Sequence, residues 1–392
     1  MNEKIFKNKY FIPVVIALII ALVGIIAGVS ISKRGEEGGK LEKTVELKEK
    51  RTLKSLLFGK NDYDLSYANL DPSIVENISF FEAGENWQGN GFSDRRVFYQ
   101  GESSIALTSQ DHVPGIIFLE RDLNLSNFKT LEVFVNISDP QVLESAAIKL
   151  GDSSLENYYL YTLSNLQLGW NCVTIPLEQF IAINNPQWSN IKKIQLEIVS
   201  RPKNAVVANF DYLVSQKTTD YLDKWNSVDK RFLSLAKEDN KVSLMGRNVG
   251  AYQVTLAEVT GARDFSFQAS FIPKKAGRSG LFFRGDYKTS KGYYLVGGGV
   301  NSDAITLMKY GSDGWEDLAK ISVRNFAFSE DKKYWLRVDT SDNQIMGFLS
   351  QDGENFTELL SIKDDEFLTG GIGIAALDGT YSLFDDLSFK QK

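Results

Sequence analysis

Residues 131–135 read Leu-Glu-Val-Phe-Val. Leu131, Val133 and Val135 fall on one side of an extended chain, and Glu132 and Phe134 on the other, because successive strand side chains point to opposite faces. That period of two predicts a strand. Working outward, 104–108, 115–119, 146–150, 158–163 and 194–198 carry the same kind of run, with turns between them. Short strands at close spacing without a long helical pattern predict a β-sandwich over residues 76–216. A second block of this kind fills 217–392, with strands predicted at 265–272, 281–284, 293–297, 304–310, 335–340, 344–350, 372–377 and 382–389. Ser312-Asp313-Gly314 and Gln351-Asp352-Gly353 suit tight hairpins, and Asp220 to Asn226 reads as a helix-like joint between the blocks. Each block exceeds 100 residues, enough to bury a core of its own.

The first 75 residues differ in kind. Residues 11–31, FIPVVIALIIALVGIIAGVSI, hold no charged side chain. At 1.5 Å per residue they span roughly 31 Å, matching a hydrocarbon core of ~30 Å. They read as a transmembrane helix. Lys4, Lys7 and Lys9 in the preceding segment 1–10 place the N-terminus in the cytoplasm and the large C-terminal blocks outside it. The rival reading is a cleaved signal peptide with a weak site at Gly28-Val29-Ser30, although its apolar core would be unusually long. Gly24 and Gly28 form a G-x-x-x-G pair through which two such helices would associate as a weak homodimer. Residues 32–75 read as a juxtamembrane linker, with a stalk helix over 40–57. The expected fold class is therefore all-β: two tandem antiparallel sandwiches behind one N-terminal transmembrane helix and a short helical stalk.

Composition narrows the function. There are 44 basic and 50 acidic residues, a formal net charge of −6, and no long basic block beyond the membrane flank. Nucleic acid is thereby an unsuitable partner. The single cysteine, Cys172, rules out an intramolecular disulfide, and the single histidine, His112, rules out a multi-histidine metal centre. Cys172 sits in the strand-like Trp170 to Pro176, and His112 in a turn-like stretch. Phosphate-loop and zinc motifs are absent, and Gly297-Gly298-Gly299 reads as a strand end or bulge.

The first block resembles the galactose-binding-like jelly rolls that include many carbohydrate-binding modules. The residues that carry this are Phe80-Phe81-Glu82 with Trp87, Gly101 to Leu107, Leu123 to Leu131, Gly169-Trp170-Asn171, Ile175-Pro176-Leu177 and Asn209 to Leu213. The second block resembles concanavalin A-like lectin/glucanase domains, in particular the laminin-G-like and 3-keto-disaccharide-hydrolase-like versions. Its carriers are Gly280 to Arg284, Gly292-Tyr293-Tyr294, Leu307-Met308-Lys309, Tyr334 to Val338, Gly370 to Gly373 and Phe384 to Leu387. The first resemblance implies a structural calcium ion between an acidic residue of the first strand and an aspartate of the last, matching Glu82 and Asp211. For Asp385 and Asp386 a structural hydrogen-bonding role is expected.

Sugar sites combine aromatic faces with planar polar groups that fix hydroxyls. Tyr159 and Tyr161 share one face of a predicted strand. Arg284, Asp286, Tyr287, Tyr293 and Lys309 lie on or beside strands of the expected concave sheet. They are the candidate ligand-binding residues, and the tyrosines serve equally well as cover for the sheets. Trp87, Trp188 and Trp315 adjoin turns. Glycoside hydrolysis needs two carboxyls about 5–9.5 Å apart across a cleft. The Glu-x-Asp-x-x-Glu motif of some concanavalin A-like glucanases is missing, so no catalytic residue is named. The expectation is a membrane-anchored extracytoplasmic protein that binds glycan. The alternatives are an exported glycan-processing hydrolase with its site in the second block, or an adhesive surface protein that binds other proteins.

Overall fold

The computed structural model describes residues 62–392 except 219–220, 222, 228–232, 248–250 and 331. The anchor at 11–31, the Gly24/Gly28 pair and the stalk helix at 40–57 lie outside the described residues. Among those described, no helix is long and apolar enough to cross a membrane.

Four antiparallel sheets form two sandwiches. In the first, the outer sheet runs Ile181–Ile183, Tyr158–Thr162, Leu143–Gly151, Ile191–Ser200, Gly115–Leu123, Gln88–Gly89. Its inner sheet runs Gly169–Pro176, Thr130–Ile137, Ala205–Gln216, Ser104–Gln110, Phe92–Asp94, with Val75–Ser79 also paired to Ala205–Gln216. In the second, the inner sheet runs Leu233–Glu238, Lys241–Arg247, Tyr381–Gln391, Phe265–Pro273, Tyr334–Ser341, Gln344–Ser350, Thr357–Lys363. Its outer sheet runs Trp225–Asn226, Ala251–Leu256, Gly371–Leu377, Arg278–Gly285, Gly292–Gly298, Ala304–Gly311, Gly314–Ser322. Every strand predicted from alternation is present, most of them a residue or more longer.

The strand at 130–137 shows why the layers stack. Leu131, Val133, Val135 and Ile137 enter the core between the two sheets of the first sandwich. Phe134 points the other way, into a third core shared with the second sandwich. There it joins Tyr99, Tyr212 and Val214 of the first sandwich and Ala236, Met245, Tyr381 and Leu383 of the second. Phe134 stacks on Tyr99 with ring centroids 4.3 Å apart, and Tyr99 on Tyr381 at 6.4 Å. The sheets therefore follow in the order outer, inner, inner, outer. Cys172 packs against the shared core from the strand Gly169–Pro176.

Two segments depart from the expected pattern. The strand Asp62–Leu65, within the expected linker 32–75, pairs with the C-terminal strand from Asp62↔Lys390 to Leu65↔Leu387. The backbone N–H of Tyr67 donates to buried Asp385 Oδ1 at 2.6 Å, which gives that carboxylate the hydrogen-bonding role expected of it. The first sandwich is thus entered from, and left into, the second. The helix-like joint at 220–226 is instead extended at its end, where Trp225–Asn226 pairs with Thr255–Leu256. Trp225 is buried and its indole N–H donates to Tyr67 Oη, an anchorage that outweighs local helix propensity.

Candidate functional site

The outer face of the first sandwich is built by strict alternation. Ile117, Leu119, Ile148, Leu150, Ile194, Leu196 and Ile198 turn into the core. Their neighbours Phe118, Lys149, Gln195 and Glu197 must turn outward. Register lines the outward side chains up across the sheet: Gln88 faces Phe118, Phe118 faces Gln195, Gln195 faces Lys149, Lys149 faces Leu160, and Leu160 faces Ile181. Beside that row lie Tyr158 and Ile183, also in register. Phe118, Lys149, Tyr158, Leu160, Gln195 and Glu197 are all half-buried, and Ile181 is 63% exposed.

Polar groups on this face hold each other. Lys149 Nζ reaches Glu197 Oε2 at 2.7 Å, and Gln195 Nε2 donates to the same oxygen at 3.1 Å. Lys193 Nζ lies 4.0 Å from the centroid of the Phe118 ring. Tyr158 fits beside Gly151 because a Cβ there would lie 2.6 Å from the Tyr158 Cβ. The result is a broad surface of aromatic and aliphatic side chains around a charge-balanced, planar polar centre.

Tyr159 and Tyr161 are not on this face. They lie on the opposite side of their strand, packed against the core of the first sandwich. Tyr159 stacks on Trp188 at 3.7 Å and its hydroxyl donates to the Pro186 carbonyl at 3.1 Å. Tyr161 packs on Phe180 at 5.4 Å. Tyr158, Phe118 and Gln195, which the sequence reading passed over, occupy the outward positions. The signal that finds them is the purely aliphatic inward set of 194, 196 and 198, which leaves no doubt about which parity faces out.

In the second sandwich the candidates divide. Arg284 is buried, with φ of 47° beside a bulge, and its guanidinium donates to the carbonyls of Arg263 and Asp342 at 2.7 and 2.6 Å. Tyr293 faces the core, and its hydroxyl donates to Asp364 Oδ1 at 2.5 Å. Burial and the Asp364 carboxylate both raise the Tyr293 phenol well above its ordinary range. Lys309 completes this cluster, with Nζ 2.9 Å from Asp364, 3.0 Å from Glu366 and 3.3 Å from Glu316. The carboxylates around it raise its ammonium above the usual lysine range. Asp286 shapes its own turn, accepting from the Lys288 N–H at 2.9 Å. Tyr287 stands half-buried in that turn, and its carbonyl accepts from Gln253 Nε2 at 3.3 Å. The structure thus brings Tyr293 and Lys309 together around Asp364, sets the buried Arg284 beside Tyr293 with the Phe367 backbone between them, and leaves Asp286 and Tyr287 in a neighbouring turn.

The outer face of the second sandwich has a closed floor. Phe282, Tyr294, Val296, Met308, Ala375 and Leu377 form a buried apolar cluster there. Trp315 stands above its margin.

Glu82 and Asp211 sit at the edge of the shared core. Asp211 is 0% exposed. Its Oδ2 accepts from the N–H groups of Tyr99 and Gln100 at 2.7 and 2.9 Å. Oδ1 makes no well-formed hydrogen bond among the described residues, although the Tyr212 N–H also favours this carboxylate. Burial pushes this carboxyl up to about 8, and Glu82 adds repulsion. Glu82 accepts from the Glu102 N–H at 2.9 Å and the Ser103 hydroxyl at 3.2 Å. Lys275 of the second sandwich donates to the Tyr99 carbonyl at 3.2 Å and contributes positive charge near Asp211. Among the described residues, no three histidine, cysteine, aspartate or glutamate side chains converge as a metal site. His112 lies in an exposed turn, with Nδ1 2.8 Å from Glu144.

No protein-family model matches the chain, and no curated protein matches it. Solved structures do resemble parts of it. The carbohydrate-binding module CBM66 from Bacillus subtilis is 18% identical, with 43% of this chain and 96% of that one covered and a TM-score of 0.36. A family 11 carbohydrate-binding module from Clostridium thermocellum, in complex with a β-1,3-1,4-mixed-linked tetrasaccharide, is 10% identical, with 36% and 95% covered and a TM-score of 0.30. The exoplasmic/lumenal domain of VIP36, bound to Ca2+ and Man3GlcNAc, is 13% identical, with 44% and 85% covered and a TM-score of 0.32.

Proposed function

We propose that the chain is a carbohydrate-binding protein whose principal site is the outer face of the first sandwich. The observation that carries this is the row Gln88, Phe118, Gln195, Lys149, Leu160, Ile181, in register across six strands. At about 4.8 Å between strands, such a row spans roughly 24 Å, an extended track rather than a pocket. Aromatic and aliphatic side chains meet the apolar C–H faces of sugar rings, and the glutamines, Lys149 and Glu197 exchange hydrogen bonds with hydroxyls. The pairing of Lys149 with Glu197 balances charge at the centre, which suits a neutral glycan. The length and apolarity of residues 11–31 support an anchor that holds this face outside the cytoplasm at the membrane.

A structural calcium ion belongs to the same reading. Glu82 and Asp211 would hold it, with Asp211 Oδ1 the oxygen that makes no well-formed hydrogen bond among the described residues. The ion would neutralise two carboxylates that repel each other.

The test is affinity electrophoresis of the full-length chain through gels containing mixed-linkage β-glucan, arabinoxylan, levan or mannan. At least one should retard the wild type, and Gln195→Ala with Phe118→Ala should weaken retardation about tenfold or more. Equal retardation of wild type and variant, or none with any of the four, would overturn the assignment.

A further inference from the structure

The hairpin Ala304–Gly311/Gly314–Ser322 ends the outer sheet of the second sandwich. Gly314 takes a φ of 95°, which lets the chain reverse within the turn. Trp315 follows at once, opposite Tyr310. Its ring centroid lies 4.8 Å from Tyr294 and 4.9 Å from Tyr310, and Trp315 is still 43% exposed. The support beneath is fixed, because Tyr294 is buried and donates to the Ser290 carbonyl at 2.6 Å. A large aromatic held from one side and open on the other is pre-organised for stacking. Exposed Asp317 lies two residues along the same strand, where alternation puts it on the same face. Arg278, paired to Asp378 Oδ1 at 3.0 Å, borders the same outer sheet. These groups supply acceptors and donors for hydroxyls beside an indole.

The place of Trp315 in the fold matters as much as its chemistry. Each outer face is separated from the shared core by both sheets of its own sandwich. With sheets about 10 Å apart, the two outer faces stand roughly 30 Å apart on opposite sides of the stack. They are held there by the shared core, by Lys275 on the Tyr99 carbonyl, and by Asn77 Nδ2 on the Lys237 carbonyl at 2.8 Å. A single extended glycan on one face would have to bend around two sandwiches to reach the other.

We propose that Trp315, with Tyr310, Tyr294 and Asp317, forms a second sugar-stacking site, and that the two opposed faces bind two separate glycan chains at once. The chain is then a rigid bridge rather than a double grip on one polymer; this rests on the carbohydrate reading above. The test uses beads coated with the polysaccharide, among the four named, that retards the wild type, and the same polysaccharide in solution carrying fluorescein. Full-length protein on the beads should capture labelled polysaccharide. Trp315→Ala should stay on the beads within about twofold of wild type yet capture at least tenfold less label, and Trp315→Phe should recover part of the capture. Capture by Trp315→Ala equal to wild type would overturn the second site. Bead binding by the wild type with no capture would overturn the bridge while leaving the first site standing. No bead binding by the wild type would remove the carbohydrate reading itself, and the bridge with it.

Discussion

The two outer faces of this protein are made of similar strands and are finished differently. On the first sandwich, outward side chains remain half-exposed, and their polar groups bond to each other along the surface. On the second, outward side chains of the central strands pack into a buried cluster, and among the described residues the margin at Trp315 and Asp317 is open. The difference lies in which residues alternation sends outward. Gln195, Glu197 and Lys149 keep water about them, whereas Phe282, Val296 and Leu377 exclude it. An outer sheet face therefore stays open where its outward set is mixed, and becomes a further layer of core where that set is apolar.

Substitution separates the two faces sharply. Phe282→Ala, in the closed floor, should cost about 3–5 kcal/mol of stability, read from the urea midpoint, because it opens a cavity in a buried cluster. Phe118→Ala, on the open face, should cost no more than about 1 kcal/mol and instead lose polysaccharide binding. Equal stability costs at the two positions would erase the distinction between them.

The junction between the sandwiches gives an effect whose size depends on pH. A carboxyl pushed up to about 8 is favoured in its protonated form in the folded chain. Its contribution is present in full below the unfolded value of about 4, and is lost as pH rises toward about 8, by at most about 1.4 kcal/mol per pH unit. Asp211→Asn should flatten the stability profile across that window. With calcium bound the sign reverses, because the ion favours the carboxylate, and stability should then rise with pH and fall on adding a chelator. Unfolding followed at several pH values, with and without calcium, distinguishes a bound ion from a proton as what settles Asp211.

The smallest effect concerns a tyrosine beneath the open face. Tyr159→Phe removes one hydroxyl bonded to the Pro186 carbonyl, and should cost about 0.5–1.5 kcal/mol with polysaccharide binding unchanged. A binding loss larger than the stability loss would move the site to the other side of that strand.

Much of this was legible in the residues. Alternation found strands such as Ile191–Ser200 because their inward sets, here Ile194, Leu196 and Ile198, are wholly aliphatic. It missed Gln88–Gly89, Phe92–Asp94 and Ile181–Ile183, which are too short to show a period. It also missed Val75–Ser79, Ala205–Gln216, Leu233–Glu238, Lys241–Arg247, Ala251–Leu256, Gly314–Ser322 and Thr357–Lys363, several of which are buried on both faces or carry mixed side chains that blur the alternation. It could not find Asp62–Leu65, whose strand character depends on a partner more than 300 residues away. The shared core was hidden because Phe134 sits on the side that carries Glu132, and one glutamate suggests solvent. Both are buried. For the site, the tyrosine run 158–161 fixed two faces without saying which one the core would take. The register with Ile148 and Leu150 decides it, and turns Tyr158 rather than Tyr159 outward. Arg284 looked like a surface cation on a strand, but a bulge at its position turns it into the fold.

The central claim is that the first sandwich recognises carbohydrate through its outer face. Calorimetric titration of the full-length chain with mixed-linkage β-glucan, arabinoxylan, levan and mannan tests it most directly, with wild type, Gln195→Ala/Phe118→Ala and Tyr159→Phe compared side by side. The account predicts saturable heat with at least one polysaccharide, lost in the double variant and kept in Tyr159→Phe. Saturable heat that survives the double variant, or no heat with any of the four, would contradict it.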